Sequence, residues 1–177
     1  MAGIQVGILM GSASDRPVME EAGKALDEIG IGWEIRVLSA HRTPGAVRKY
    51  LREAPGRGVR VVIAGAGMAA HLAGVSAAET DLPVIGVPLN SSPLGGLDSL
   101  LSTAQMPPGI PVAAMGIGPA GARNAGLLAA RILALVDSRV ARAYRRFAEG
   151  QSASVLAADR ALQKERAASK KRASRRG

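Results

Sequence analysis

The sequence predicts a three-layer α/β/α domain around a parallel, five-stranded sheet. Three observations carry that expectation. Short runs rich in Val, Ile and Leu recur along the chain, each followed by a small-residue loop and then by a longer stretch of helical periodicity. Several runs are apolar throughout instead of alternating, as strands covered on both faces are. The 177 residues are 47% apolar, enough for one real core.

The expected strands are "IQVGILM" (4–10), "WEIRVL" (33–38), "VRVVIA" (59–64), "PVIGVP" (83–88) and "PVAAMGI" (111–117). Helical patterns fill 16–29, 44–53, 70–79, 95–104 and 120–136. The first helix has Ser14 and Asp15 as candidate N-caps and Pro17 in its first turn; the second has Thr43 before Pro44. Five βα units with right-handed crossovers give a doubly covered sheet, and the expected strand order is 2-1-3-4-5, by analogy with flavodoxin-like sheets. This α/β domain occupies 1–137. A helical extension follows over 138–163, with Val140, Tyr144 and Phe147 at helical spacing, and the basic run over 164–177 is expected to be disordered.

Composition excludes several classes of chemistry. The chain has no cysteine, hence no disulfide, thiolate metal site or cysteine nucleophile, which suits a cytoplasmic location. No apolar run approaches the roughly 18 residues that a membrane span needs, and the N-terminus lacks a basic leader. The net charge of +9 is local: residues 1–138 hold 11 basic and 11 acidic side chains, whereas 139–177 hold 12 and 3. A folded nucleic-acid-binding domain carries its basic stripe on the body, so that function is not expected of residues 1–138, and binding by the tail stays an open alternative. Two histidines 30 residues apart, without a nearby carboxylate pair, do not suggest a metal site. Neither a G-x-S-x-G elbow nor a Walker lysine is present.

In a parallel sheet every loop after a strand emerges at one edge, and ligands bind there. Three loops qualify. In "MGSASD" (10–15), Gly11 permits a tight backbone, Ser12 and Ser14 offer hydroxyls, and the following helix N-terminus favours an anion such as phosphate. Asp15 is either a cap or an acceptor for ribose hydroxyls. In "SAHRTP" (39–44), the Arg42 fork suits phosphate oxygens, and His41, an imidazole that can give and take a proton, is either a proton-transfer group or a polar residue of the helix cap. In "AGAGMAAH" (64–71), Gly65 and Gly67 allow close backbone approach to a flat ligand, with Ala69 and Ala70 leaving room. His71 there is a ligand contact or a capping side chain. The glycine pattern superficially matches a dinucleotide fingerprint, but Gly86, Val87 and Pro88 stand where the acidic ribose ligand belongs.

Six segments, "VGILMGSASD", "SAHRTP", "VVIAGAGMAAHLAG", "LPVIGVPL", "GLDSLLSTAQMPPGIPVA" and "GARNAGLLAARIL", together resemble the 5-(carboxyamino)imidazole ribonucleotide mutase family of purine biosynthesis, within the AIR carboxylase group. The resemblance runs from about residue 4 to residue 136 and includes order and spacing. It implies an isomerase that moves a carboxylate between two positions of one nucleotide, with no ATP, metal or biotin. It also implies His41 as the catalytic acid/base. Gly11, Ser12, Ser14 and Asp15, with Ser39, Ala40 and Arg42, would hold the ribose phosphate; Gly65, Ala66, Gly67, Ala70, His71 and Leu72 would surround the imidazole and the migrating carboxylate. The family forms octamers with sites between subunits, so the 138–163 extension is expected to reach a neighbour. The "GAGMAAHL" loop favours the mutase over the class that carboxylates aminoimidazole ribonucleotide directly with CO2. A binding module without chemistry is the other alternative, although 2% aromatics leave little to sandwich a flavin. Ala73, Glu79 and Asn90 depart from the family pattern, with proline, lysine and glutamine common there.

Overall fold

A computed structural model of the chain describes residues 3–173. Five strands, β1 (Ile4–Met10), β2 (Gly32–Val37), β3 (Val61–Gly67), β4 (Val84–Leu89) and β5 (Ala113–Ala114), form one sheet of order β2-β1-β3-β4-β5 with every pairing parallel. The expected order and class are those observed. Among the described residues six α-helices accompany the sheet: α1 (Arg16–Ile29), α2 (Pro44–Glu53), α3 (His71–Ala78), α4 (Leu97–Ala104), α5 (Pro119–Ala134) and α6 (Ser138–Ala173).

Alternation along β1 divides the core. Val6, Ile8 and Met10 pack against Met19, Ala22 and Leu26 of α1 and Ala122, Ala125 and Ala129 of α5, while Leu9 joins Val47 and Leu51 of α2 and Leu72 of α3 on the other face. Burying each of the larger aliphatic side chains fully contributes roughly 1.5–3 kcal/mol. Gly7 carries no Cβ because the Tyr50 ring lies across that position, its hydroxyl donating to Glu34 at 3.0 Å. Burial, reinforced by the Glu34 charge, holds that phenol above its ordinary value and therefore protonated.

The fifth strand is shorter than the 111–117 run suggests, and Pro88 explains why. The carbonyls of Gly86 and Pro88 both point toward β5, accepting from Met115 at 2.9 Å and Gly118 at 2.9 Å. A strand residue aims its N–H the same way as its carbonyl, so Pro88 removes the donor that would extend the ladder.

The helix N-termini differ in detail from expectation. Ser12 caps a single 3-10 turn, Ala13–Asp15, in a reciprocal capping box, and Asp15 at the head of α1 makes no side-chain cap bond. Thr43 is the residue before α2, but its hydroxyl turns back to the preceding loop instead of capping. The boundaries near the C-terminus also shift. The extension over 138–163 is helical, and α6 runs on to Ala173 through part of the run expected to be disordered, as strong helix formers such as Ala, Arg, Lys and Gln permit; residues 174–177 of that run lie outside the described residues. No helix among those described is long and apolar enough to cross a membrane.

Helices α1 and α5 meet through small residues. A Cβ on Gly126 would stand 2.5 Å from the Ala22 carbonyl oxygen and 3.1 Å from the Ala25 Cβ. Backbone cannot yield cheaply, so Gly126→Val should destabilise the protein by about 3 kcal/mol, the upper end for overpacking, read as a lowered urea midpoint. An unchanged midpoint would show that the helices separate without loss.

Candidate active site

Strand register positions the site. Met10 pairs with Val37 on one side and Gly65 on the other, so β1, β2 and β3 reach their carboxyl ends nearly level, and Leu89 of β4 pairs with Gly67. The order reverses at β1: the chain moves outward to β2 and then returns to β3, leaving a crevice where the loops diverge. A cavity of about 580 Å³ occupies it. Its walls bring together most of the residues named from the sequence, from all three loops: Gly11, Ser12, Ser14 and Asp15; Ser39, Ala40, His41 and Arg42; Ala66, Gly67, Ala70, His71 and Leu72.

Gly65 is the exception. It lies buried within β3, and the Met19 side chain occupies the place where its Cβ would be. Its lack of a side chain serves packing against α1, one step before the cavity begins. Conversely, Met68, Ala69 and Ser91 also line the wall. Ser91 was missed among the candidate site residues because nothing in "NSSPLGG" marks chemistry; its position directly after a strand was the available signal. It lies against Gly67, in the space a Cβ there would fill.

The loop carrying His41 is closed by Thr43. The Thr43 hydroxyl accepts from the Ser39 N–H at 2.9 Å and donates to the Ser39 carbonyl at 3.2 Å, while the Thr43 N–H donates to that same carbonyl at 2.9 Å. Arg42 then braces two loops: its backbone N–H and Nε donate to Ser39 Oγ at 3.2 and 3.4 Å, and its Nη2 donates to the Gly11 carbonyl at 2.5 Å. His41 Nε2 and His71 Nδ1 are 2.5 Å apart, with the rings edge to face at 85°. Such a bond needs one N–H and one bare nitrogen, so one imidazole donates and the other accepts. His71 therefore contacts His41 and does not cap α3.

The turn before α3 is held in an unusual conformation. Met68 and Ala70 adopt positive φ, 55° and 42°, and Ala70 donates to the Gly67 carbonyl at 3.0 Å. Left-handed backbone at non-glycine residues costs of order 1–3 kcal/mol each and is concentrated where a site demands a particular loop shape. Ala73 sits in the first turn of α3, where a backbone donor has no intrahelical partner and proline or alanine serves equally. Glu79 ends that helix and pairs with Arg48 of α2 at 2.9 Å, so its departure from the family pattern gains a cross-helix contact.

Asp15 is the electrostatically perturbed group of the cavity. Burial pushes its carboxyl above the ordinary value, against the opposing pull of the Ser12 N–H, the Ser14 hydroxyl and the Arg42 charge. Its Oδ2 accepts from the Ser12 N–H at 3.2 Å, and Ser14 Oγ lies 2.8 Å from Ser12 Oγ. No cluster of three His, Asp or Glu side chains among the described residues is placed to hold a metal ion.

Comparison with known proteins gives a consistent set of relatives. The AIR carboxylase family model matches residues 5–154. An N5-carboxyaminoimidazole ribonucleotide mutase of Pseudomonas aeruginosa is 52% identical over 151 residues, covering 85% of this chain and 93% of that protein. The Bacillus subtilis protein of the same name is 57% identical over 137 residues, covering 77% and 85%. Among solved structures, Treponema denticola PurE superposes with a TM-score of 0.77 at 33% identity, covering 86% of this chain and 94% of that one.

Two outcomes follow from the geometry. Thr43→Val removes the hydroxyl that satisfies Ser39 and should lower stability by about 1 kcal/mol, with Thr43→Ser restoring it, both read from denaturant midpoints. Because the folded protein penalises ionised Asp15, its contribution is unfavourable above its raised folded value and vanishes below the ordinary carboxylate range, where both states are protonated. Asp15→Asn should therefore be more stable than the parent at neutral pH, and the gain should disappear as pH falls below about 4. A gain that persists in acid would assign it to something other than charge.

Proposed function

The chain belongs to the AIR carboxylase family, and on that premise we propose that it is an N5-carboxyaminoimidazole ribonucleotide mutase, converting that nucleotide to 4-carboxy-5-aminoimidazole ribonucleotide in purine biosynthesis. One observation carries the chemistry: His41 and Arg42 are consecutive residues of one braced loop and line the same cavity.

In this reading Arg42, Ser12 and Ser39 hold the phosphate and Asp15 accepts from the ribose hydroxyls. The Arg42 charge lowers the cost of ionising Asp15, and the fork of Arg42 suits phosphate oxygens. The grip is remote from the reacting atoms, so its binding energy serves to orient them. At the other end, the backbone from Ala66 to Leu72 surrounds the imidazole.

The reaction is an isomerisation whose atoms balance within one substrate. The N5–carboxylate bond breaks, its electron pair stays on nitrogen, and N5 takes a proton from His41. Ring carbon C4 then attacks the CO2 so released, forming the new C–C bond. His41 removes the C4 proton, which restores the aromatic ring and the starting protonation state. A cavity that keeps CO2 in place between these steps is essential. The bond to His71 orients the His41 ring for both proton transfers. No cofactor takes part in this reading.

We also infer a homo-octamer in the cytoplasm. Leu94, Leu97 and Leu101 are exposed on the loop and helix that follow Ser91, and Met68 is exposed at the cavity rim. An apolar surface of that kind supports association beside the site, and sedimentation would read it.

His41→Asn should lower kcat by about 10² to 10⁴ fold while nucleotide binding persists; near-normal isomerisation would remove His41 from the mechanism. The assignment itself is tested by supplying carboxyaminoimidazole ribonucleotide without ATP and, separately, aminoimidazole ribonucleotide with bicarbonate. Preferential turnover of the second pair would make the chain a direct carboxylase instead, and turnover of neither a binding module.

A further inference from the structure

Three loops at the carboxyl edge of the sheet hold the nucleotide in the mutase reading, and a fourth, after β4, places one side chain in the same cavity. The Ser91 N–H donates to the Leu89 carbonyl at 3.1 Å, a three-residue turn that bends the chain sharply at Asn90. Leu89 is the register partner of Gly67, so the turn brings Ser91 back over the end of β3. A Cβ on Gly67 would collide with the Ser91 Oγ and stand 2.6 Å from the Ser91 Cβ. The bare Cα of Gly67 is what gives this hydroxyl its place in the wall.

Its position in the sheet decides what the hydroxyl can meet. Adjacent strands lie about 4.8 Å apart, so the loop after β4 stands roughly 14 Å across the edge from the loop after β2. A nucleotide whose phosphate is held by Arg42 and Ser12, after β2 and β1, extends its base toward β3 and β4. The migrating carboxylate is a substituent of that base, and in a site that excludes water it needs hydrogen-bond donors. Ala66, Met68, Ala69, Ala70 and Leu72 bring no side-chain donor to that end, and His71 is engaged with His41. The other serine hydroxyls of the cavity are tied within their own loops: Ser12 Oγ accepts from the Ser14 hydroxyl at 2.8 Å, and Ser39 Oγ accepts from the Arg42 N–H at 3.2 Å. Among the described residues, Ser91 is the serine of the cavity whose hydroxyl makes no hydrogen bond.

On the premise of the mutase reading, we propose that Ser91 is the side-chain donor to the migrating carboxylate and that it favours recapture of CO2 over its escape. The hydroxyl donates to a carboxylate oxygen while the group is on N5, and again once it is on C4. The oxygens of free CO2 carry little charge, so the bond is weaker at that stage. It strengthens as the C4 electron pair forms the new C–C bond and negative charge returns to oxygen. Recarboxylation is thereby favoured over loss of the gas. Ser91 forms no covalent bond, and both proton transfers stay with His41.

Equilibrium titration in a His41→Asn background, where conversion is slow, compares 4-carboxy-5-aminoimidazole ribonucleotide with aminoimidazole ribonucleotide, which lacks the carboxylate. Adding Ser91→Ala should weaken binding of the first about 10 to 10² fold and leave the second unchanged. Ser91→Thr, which keeps the hydroxyl, should retain the preference for the carboxylate that its isostere Ser91→Val loses. With His41 intact and an isotope-labelled carboxylate on N5, Ser91→Ala should raise KM more than it lowers kcat and release more label to bicarbonate per product formed. Thermal midpoints check folding; should Thr or Val not be accommodated beside Gly67, Ser91→Ala on the two nucleotides decides. Equal weakening of both nucleotides, weakening of neither, a folded Val variant that binds like Thr, or a smaller sedimenting species with both affinities kept would each overturn the role of Ser91. Turnover by the parent with an unchanged carboxylate preference in Ser91→Ala overturns this role alone, whereas a parent that turns over no carboxyaminoimidazole ribonucleotide overturns the mutase reading and this role with it.

Discussion

The register of three parallel strands is the constraint on which the rest of the molecule depends. Met10 is paired on both sides at once, with Val37 and Gly65, so the loops that follow β1, β2 and β3 leave the sheet at one level. Shifting any of these strands by a single residue would turn its apolar set to the wrong face and displace one wall of the cavity by about 3.3 Å. The core thus holds the site in place. Val6 and Ile8 cannot remain against α1 and α5 unless Gly11 to Asp15 stand beside Ser39 to Arg42.

Small residues let that register coexist with close layers. Gly7 admits the Tyr50 ring, Gly65 admits Met19, and Gly126 admits the α1 backbone. Each is a place where a side chain would push a helix away from the sheet or from its neighbour; Gly7 and Gly126 lie within stretches that composition alone reads as an ordinary strand and helix, and Gly65 in one that it reads as a ligand loop. The glycine loop of the apparent dinucleotide pattern has the same explanation in part: Gly65 serves Met19 and Gly67 serves Ser91, so two of its glycines answer to packing.

Above this rigid layer the site is assembled by hydrogen bonds between loops. Thr43 closes the loop that carries His41, Arg42 ties that loop to Gly11, and His71 reaches across from α3 to His41. Two residues with positive φ shape the third wall. A reaction that must keep CO2 beside a reactive ring has little tolerance for loop motion, and this bracing limits it. Leu72 and Ala73, which follow directly, are buried in the core and anchor the chain at that end of the turn.

Fold class, strand order and the membership of the three loops were legible in the sequence, because periodicity and turn residues are local and the parallel βα arrangement has few solutions. So were His41, Arg42 and Asp15, since residues after strands of such a sheet meet at one edge whatever the details. Pairing across that edge was not legible. The His41–His71 bond, the Arg42–Gly11 brace and the Ser91–Gly67 contact join residues 30, 31 and 24 positions apart, and no local pattern encodes which side chains of two converging loops touch. The same holds for the length of β5, where Pro88 of the neighbouring strand withholds a donor, and for Gly65, whose task is set by Met19 on another element. What the sequence by itself determined was which elements form and which loops meet; only the tertiary structure decided which atoms meet there, because those contacts depend on register and side-chain direction between elements distant in the chain.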